Sequence, residues 1–274
     1  MRKLARIITT VAVVGVIPFI IAADDHKEGY EVHDMSRPQP AKLTPATFST
    51  QEQAGQAPSD ATVLFHGKDL SQWQSEKDGS DAQWKTADGY FEVAPGKGNI
   101  RSKAEFGDMQ VHVEWREPED VKGKSQGRGN SGIFLQGLYE LQVLDSAGTE
   151  TYPDGMAGGI YGQYPPLVNA TLPAGQWNMY DIIFHAAKLD GDGKVTTPAR
   201  ATVIFNGVLV QDNVNLLGPT KHKALTNYDE KIPAKGPITL QDHHNPVRFR
   251  NIWVRELTAE QPKPPVRANT GETH

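Results

Sequence analysis

One all-β domain, a sandwich or jelly roll of antiparallel strands, is the fold class that this sequence predicts. Three observations predict it. No stretch sustains an apolar helical period between helix caps. Short runs of alternating apolar and polar residues recur instead, Met109 to Arg116 being the clearest. Turns bearing glycine or asparagine separate these runs over roughly 200 residues, with no repeat of fixed period.

The chain opens with a segment that is not part of that domain. Residues 1–23 read as a secretory signal peptide. Arg2, Lys3 and Arg6 make the basic start, Ile7 to Ile21 the apolar run, and Ala22-Ala23 a small-residue cleavage site. The apolar run is shorter than the roughly 20 residues that span a bilayer, and Pro18 interrupts it. Export with cleavage, to the periplasm or outside the cell, is therefore expected, with no stable membrane insertion afterwards. There is no cysteine, so neither a disulfide nor a lipid-modified thiol can anchor the product. Loss of residues 1–23 takes the formal charge from -5 to -8, because they carry three basic residues and no acidic one. A net acidic chain argues against nucleic acid as a partner.

Residues 24–59 are rich in Pro, Gln, Ala, Ser and Thr and poor in large apolar side chains, the composition of a flexible linker or loosely packed arm. From residue 60 the texture changes. Ala61 to Phe65 reads as a strand running into a turn at Gly67. Trp84-Lys85 and Tyr90 to Val93 read as a hairpin about Asp88-Gly89, and Asn99 to Ser102 as a further strand. Met109 to Arg116 puts Val111, Val113 and Trp115 on one face and His112, Glu114 and Arg116 on the other. Pro118 to Gly129 is a charged, glycine-rich loop. Two short apolar runs broken by Gly137 follow, and the second sets Glu140 and Gln142 opposite Tyr139, Leu141 and Val143. Residues 149–169 form a long irregular loop holding Tyr152, Tyr161 and Tyr164, and ordered loops on rigid scaffolds often carry function. Gln176 to His185 is a strand. Asp190-Gly-Asp-Gly is a turn, since the later ligands of a calcium loop are missing. Asn206-Gly207 joins the strongest hairpin. Gly236 to Gln241 leads to a final strand, Val247 to Leu257, and residues 258–274 are a polar tail.

Polar residues sharing strand faces are the candidates for chemistry: His112, Glu114 and Arg116; Glu140 and Gln142; Gln241 and His243; Arg248 and Arg250. Gathered into one groove, they would suit proton abstraction and oxyanion stabilisation. Trp177 and the loop tyrosines Tyr152, Tyr161 and Tyr164 could stack on sugar rings. The same residues admit plainer readings: His112 as a solvent-facing strand residue, the two arginines as ion partners of Glu114 or Glu140, and Trp73, Trp84, Trp115 and Trp253 as core. There is no nucleophile elbow, His-Glu-x-x-His, phosphate loop or dinucleotide fingerprint. The paired-carboxylate catalytic strand of sandwich-fold glucanases is also missing, because an amide, Gln142, stands where its second acid would be.

An ordered set of motifs now becomes recognisable. Leu64 to Trp73, Asn130-Ser-Gly-Ile-Phe-Leu-Gln136, Tyr139-Glu-Leu-Gln142, Gln176-Trp-Asn178, Phe205-Asn-Gly207, Gly236 to Gln241 and Phe249-Arg-Asn-Ile252 occur in that sequence. Over about residues 60–257 the chain resembles the 3-keto-disaccharide hydrolase family, described as 3-keto-glucoside 1,2-lyase with 3-keto-2-hydroxy-glucal hydratase activity. The resemblance implies a concanavalin A-like jelly-roll sandwich acting on a small keto-sugar. A ketone at C3 acidifies the C2 proton, a base removes it, the C1 substituent leaves, and water adds to the glycal. On this view Glu140 or His243 is the base and His112 or Glu114 the second proton carrier. Asn130, Gln142, Arg116, Gln241 and Arg248 would hold hydroxyls or the enolate, with a divalent metal ion as an alternative electrophile. His66 and the segment His243-His244-Asn245 depart from the family's usual residues. A non-catalytic carbohydrate-binding module is the competing expectation, since one fold serves both, and a scaffold protein of the cell envelope is a third.

Overall fold

The computed structural model describes residues 30–257; the expected signal peptide and polar tail lie outside them. Residues 30–40 belong to a separate small unit, in which the Arg37 guanidinium lies 5.4 Å from the centre of the Tyr30 ring. Residues 41–257 fall in one β unit and hold every strand among the described residues. In chain order these are β1 (Thr62–Phe65), β2 (Trp73–Ser75), β3 (Lys85–Ala87), β4 (Tyr90–Glu92), β5 (Ile100–Ser102), β6 (Met109–Arg116), β7 (Ser131–Leu135) and β8 (Tyr139–Val143). There follow β9 (Asn178–His185), β10 (Lys188–Leu189), β11 (Val195–Thr197), β12 (Arg200–Phe205), β13 (Val208–Asn215), β14 (Thr239–Leu240) and β15 (Arg248–Glu256). Among the described residues there is no α-helix, only two single-turn 3-10 segments.

Two antiparallel sheets make the sandwich expected from the strand pattern. The larger runs β13-β12-β9-β6-β15-β4-β3, with β1 also pairing β15. The smaller runs β2-β5-β14-β7-β8. The core is the set of residues that period two turns inward: Val111, Val113 and Trp115 from β6, Tyr139, Leu141 and Val143 from β8, Tyr180, Ile182 and Phe184 from β9, and Phe249 from β15, all fully buried. Aromatic rings interlock there, Tyr180 and Phe205 at 4.6 Å between centroids. Each such apolar side chain stabilises the fold by about 2 kcal/mol relative to exposure. Asn206 and Gly207 both take positive φ, as the expected two-residue turn between β12 and β13 requires.

Residues 44–59, expected as linker or arm, lie along the outer face of the larger sheet. Gln51 brackets Trp177, its Oε1 accepting from the Trp177 N–H at 2.6 Å and its Nε2 donating to the Trp177 carbonyl at 3.0 Å. Ser49 donates to Glu114, and Arg250 to the carbonyl of Thr50.

Candidate active site

On the smaller sheet, β8 turns Glu140 and Gln142 away from the core, toward a cavity of about 250 Å3. Gln126, Asn130, Phe134, Thr220 and Gln241 line it as well. Tyr152 and Tyr161 join from the 149–169 loop, and His222 and His243 from two others.

The loop is held as an irregular extra strand beside β8. Gln142 N–H donates to Gly159 O at 3.0 Å, Gly158 N–H to Gln142 O at 3.2 Å, and Tyr161 N–H to Glu140 O at 3.0 Å. The Gln142 side chain does the same work: its Nε2 donates to Gln126 Oε1 at 2.9 Å and to Gly155 O at 3.3 Å. Its hydrogen bonds therefore hold the wall of the cavity rather than point into it.

Glu140 is 5% exposed and has no cationic partner among the described residues. Burial alone pushes its carboxyl up to about 8, because a low-dielectric site disfavours the charged form. The carboxyl fits only because Gly132 faces it on β7: a Cβ there would sit 2.4 Å from Glu140 Oε1. His243 is exposed at the cavity. Partial loss of solvent first, and the neighbouring His244 and His222, push its imidazole below the usual value. The phenols form a chain, Tyr152 OH to Tyr161 OH at 2.8 Å and Tyr161 OH to His222 Nδ1 at 3.4 Å. Burial and the Tyr161 bond push the Tyr152 phenol well up, so it stays a neutral donor. Gln241 Oε1 is buried with no hydrogen-bond partner. Asn130 spends its side-chain N–H on Gln126 O at 2.7 Å, while its backbone N–H donates to Asn245 Oδ1 at 2.8 Å.

Six of the candidate residues are thus brought together: Glu140, His243, Asn130, Gln142, Gln241 and Tyr161. Five are not, and the single groove expected from them is corrected. His112, Glu114, Arg116, Arg248 and Trp177 belong to the larger sheet or the residue leading into it. Period two turns the first three away from the core, as it does Glu140, but from the opposite sheet, so the two polar faces are on opposite sides of the sandwich.

His112 and Glu114 form a closed network there. His112 Nδ1 lies 2.7 Å from Asp181 Oδ1 and its Nε2 3.2 Å from Glu114 Oε1. Arg250 Nε donates to Glu114 Oε2 at 2.6 Å, and Asn251 Nδ2 to Oε1 at 2.7 Å. Burial opposes the imidazolium, but its two carboxylate partners outweigh that and raise His112 to about 9. Burial would likewise raise Glu114, yet its bonds from His112, Ser49 and Asn251 hold it below its usual value. Trp177 is buried against cations rather than open to a sugar, with Arg250 at 4.3 Å and Arg116 at 4.6 Å from its ring centre. Arg248 pairs with Glu92 at 2.7 Å, not with Glu114 or Glu140.

Tyr152, one of the loop tyrosines expected to stack on sugar, lines the cavity, as do His222, Thr220, Gln126 and Phe134, which the sequence does not mark as site residues. His222 lies in a stretch with no strand pattern, so alternation could not find it. No group of three or more His, Asp or Glu among the described residues is placed to hold a metal ion, so the donor set does not fit the divalent ion considered from sequence.

An antiparallel sandwich bearing one cavity with a carboxyl, two imidazoles, two phenols and several amides belongs to the class that binds a polyhydroxylated ligand and can move protons on it. The chain belongs to the 3-keto-alpha-glucoside-1,2-lyase-like domain family, whose model matches residues 60–255. It is 25% identical over 239 residues to a 3-keto-disaccharide hydrolase of Bacteroides thetaiotaomicron, covering 74% of this chain and 81% of that protein. A crystal structure of a presumed glycosyl hydrolase from Parabacteroides distasonis ATCC 8503 superimposes with a TM-score of 0.77 at 45% identity, covering 82% of this chain and 95% of that one. A second structure so described from the same organism, at 20% identity and a TM-score of 0.52, covers 72% of this chain and 94% of its own and shares the fold.

Proposed function

We propose that the chain is an exported carbohydrate-active enzyme that cleaves 3-keto-glycosides by removing the C2 proton and expelling the C1 substituent. One observation carries this reading: a buried carboxyl without a cationic partner, Glu140, shares a cavity with His243 in a chain of this family. Burial shifts the two groups in opposite directions, so that at neutral pH the carboxyl holds its proton and the imidazole is free of one.

That arrangement assigns the roles. His243 takes the proton at C2, next to the ketone at C3. The electrons form the C1–C2 double bond as the C1–O bond breaks, and Glu140 gives its proton to the departing oxygen. The Tyr161 and Tyr152 hydroxyls are donors for the oxygen at C3, where negative charge develops. The unpartnered Gln241 Oε1 accepts from a sugar hydroxyl. The product is a 3-keto-glycal, to which water can add by the reverse proton movements. Residues 1–23 would deliver the enzyme to the periplasm or the exterior and then be removed.

The test compares two 3-keto-glucosides, one with a sugar aglycone and one with p-nitrophenol, following aglycone release and enone absorbance. The reading expects Glu140→Gln to lose turnover of the first by a factor on the order of 100 or more, and to recover on the second, whose leaving group needs no acid. His243→Gln should lose both. Sugar binding with no release of either aglycone by the wild type would establish the binding module instead.

A further inference from the structure

The outer face of the larger sheet carries a second polar site, distinct from the cavity at Glu140. Three guanidiniums meet two aromatic rings there. Arg248 lies 4.8 Å over Tyr90, Arg250 4.3 Å over Trp177, and Arg116 4.6 Å over Trp177 and 5.7 Å from Tyr90. Two of the three have carboxylate partners: Arg248 with Glu92 at 2.7 Å and Arg250 with Glu114 at 2.6 Å. Among the described residues Arg116 has no carboxylate within ion-pair distance, and its Nε is buried without a hydrogen-bond partner. Leaving such a group unmet is unfavourable, and more so for a charged one. Burial and then the positive charge of Arg248 push the Arg116 guanidinium below its usual value, which shows the same surplus of positive charge.

A cavity of about 230 Å3 opens beside it, lined by Arg116, Arg248, Pro118, Gly175, Glu117 and Glu119. At roughly 30 Å3 per water it has room for several small polar groups. Burial pushes the Glu117 carboxyl up to about 8, so it bears little charge at neutral pH. Glu119 is exposed, so solvent weakens its pull on Arg116 without removing it.

We propose that this pocket binds an oxyanion, a carboxylate or sulfate group, either free or carried on a sugar. Arg116 supplies a guanidinium without a carboxylate partner and Arg248 the second positive charge, and the aromatic rings hold both guanidiniums in place. Because it lies on the opposite sheet, the site is independent of the keto-glycoside reading.

Isothermal titration of the mature chain at low ionic strength with sodium sulfate, sodium glucuronate and methyl glucoside tests it. The two anions should bind and the neutral sugar should not, with affinity falling as salt is added. Arg116→Gln should weaken anion binding on the order of tenfold. Glu119→Gln, an exposed change that leaves folding intact, should tighten it a few-fold. Glucuronate binding more tightly than sulfate assigns a sugar acid, and the reverse order a free oxyanion. Equal binding of methyl glucoside, no anion binding, or a Glu119→Gln variant that binds anions no better than wild type would overturn the proposal.

Discussion

Glu140 and His243 owe their opposed protonation to one cause. Removing a group from water penalises whichever form is charged, which raises a carboxyl and lowers an imidazole. The consequence is a bell-shaped pH profile. The rate should rise as His243 loses its proton below pH 6.5 and fall as Glu140 loses its own near pH 8. The check is wild-type kcat/KM against pH on the two substrates. The alkaline limb should appear with the sugar aglycone and be absent with p-nitrophenol, and a limb that persists with p-nitrophenol would assign it to another group. His222 tests the phenol chain in the same way. His222→Ala removes the partner of Tyr161, and turnover of the sugar substrate should drop by about tenfold or more while the thermal midpoint stays near wild type.

The hairpin of β7 and β8 is the element that makes the cavity. Its core face is ordinary, but its outer face sets a bulky acid diagonally across from a residue that has no side chain. Gly132 has an unstrained backbone, so space rather than conformation requires glycine there. Gly132→Ala should destabilise the fold by about 1–3 kcal/mol through overpacking, or push the carboxyl aside and cost turnover. Urea unfolding together with kcat reads both effects. Wild-type values for each would mean that the register Phe134 to Glu140 across β7 and β8 is not that of the working enzyme.

At the scale of the molecule, the network on the larger sheet ties the 44–59 segment to the sandwich without touching the proposed chemistry. Glu114→Ala leaves the Arg250 charge buried and unpaired and His112 with Asp181 alone, and should cost about 3–5 kcal/mol with kcat unchanged in the folded fraction. Stability should also decline with rising pH. Glu117 and Glu140 hold protons up to about 8 in the fold, against 4.5 when exposed, and His112 up to about 9 against 6.5. In each interval the folded chain binds more protons than the unfolded one, so stability present below the unfolded values is lost as pH climbs through the folded ones. A urea midpoint that is higher at pH 5 than at pH 9 is the expected result, with a smaller difference in His112→Gln.

The sandwich was legible in the residue order because a strand with one buried face must alternate, and Met109 to Arg116 and Tyr139 to Val143 alternate without interruption. The Asn206-Gly207 turn was legible too, since few residues accept positive φ twice in succession. So was the choice of Glu140, Gln142 and Gln241 as outward-facing residues. Alternation says which residues share a face of a strand, however, and not which strands share a sheet. His112 and Glu140 look alike on that basis, yet antiparallel pairing over long sequence separations puts one on β6 of the larger sheet and the other on β8 of the smaller. Burial of polar groups is settled at the same level. Glu140 stands alone and holds its proton; Glu114, with the same outward-facing pattern, is surrounded by donors and loses it. Those differences come from neighbours distant in the chain, as do the arrival of His222 at the cavity and the surplus charge of Arg116.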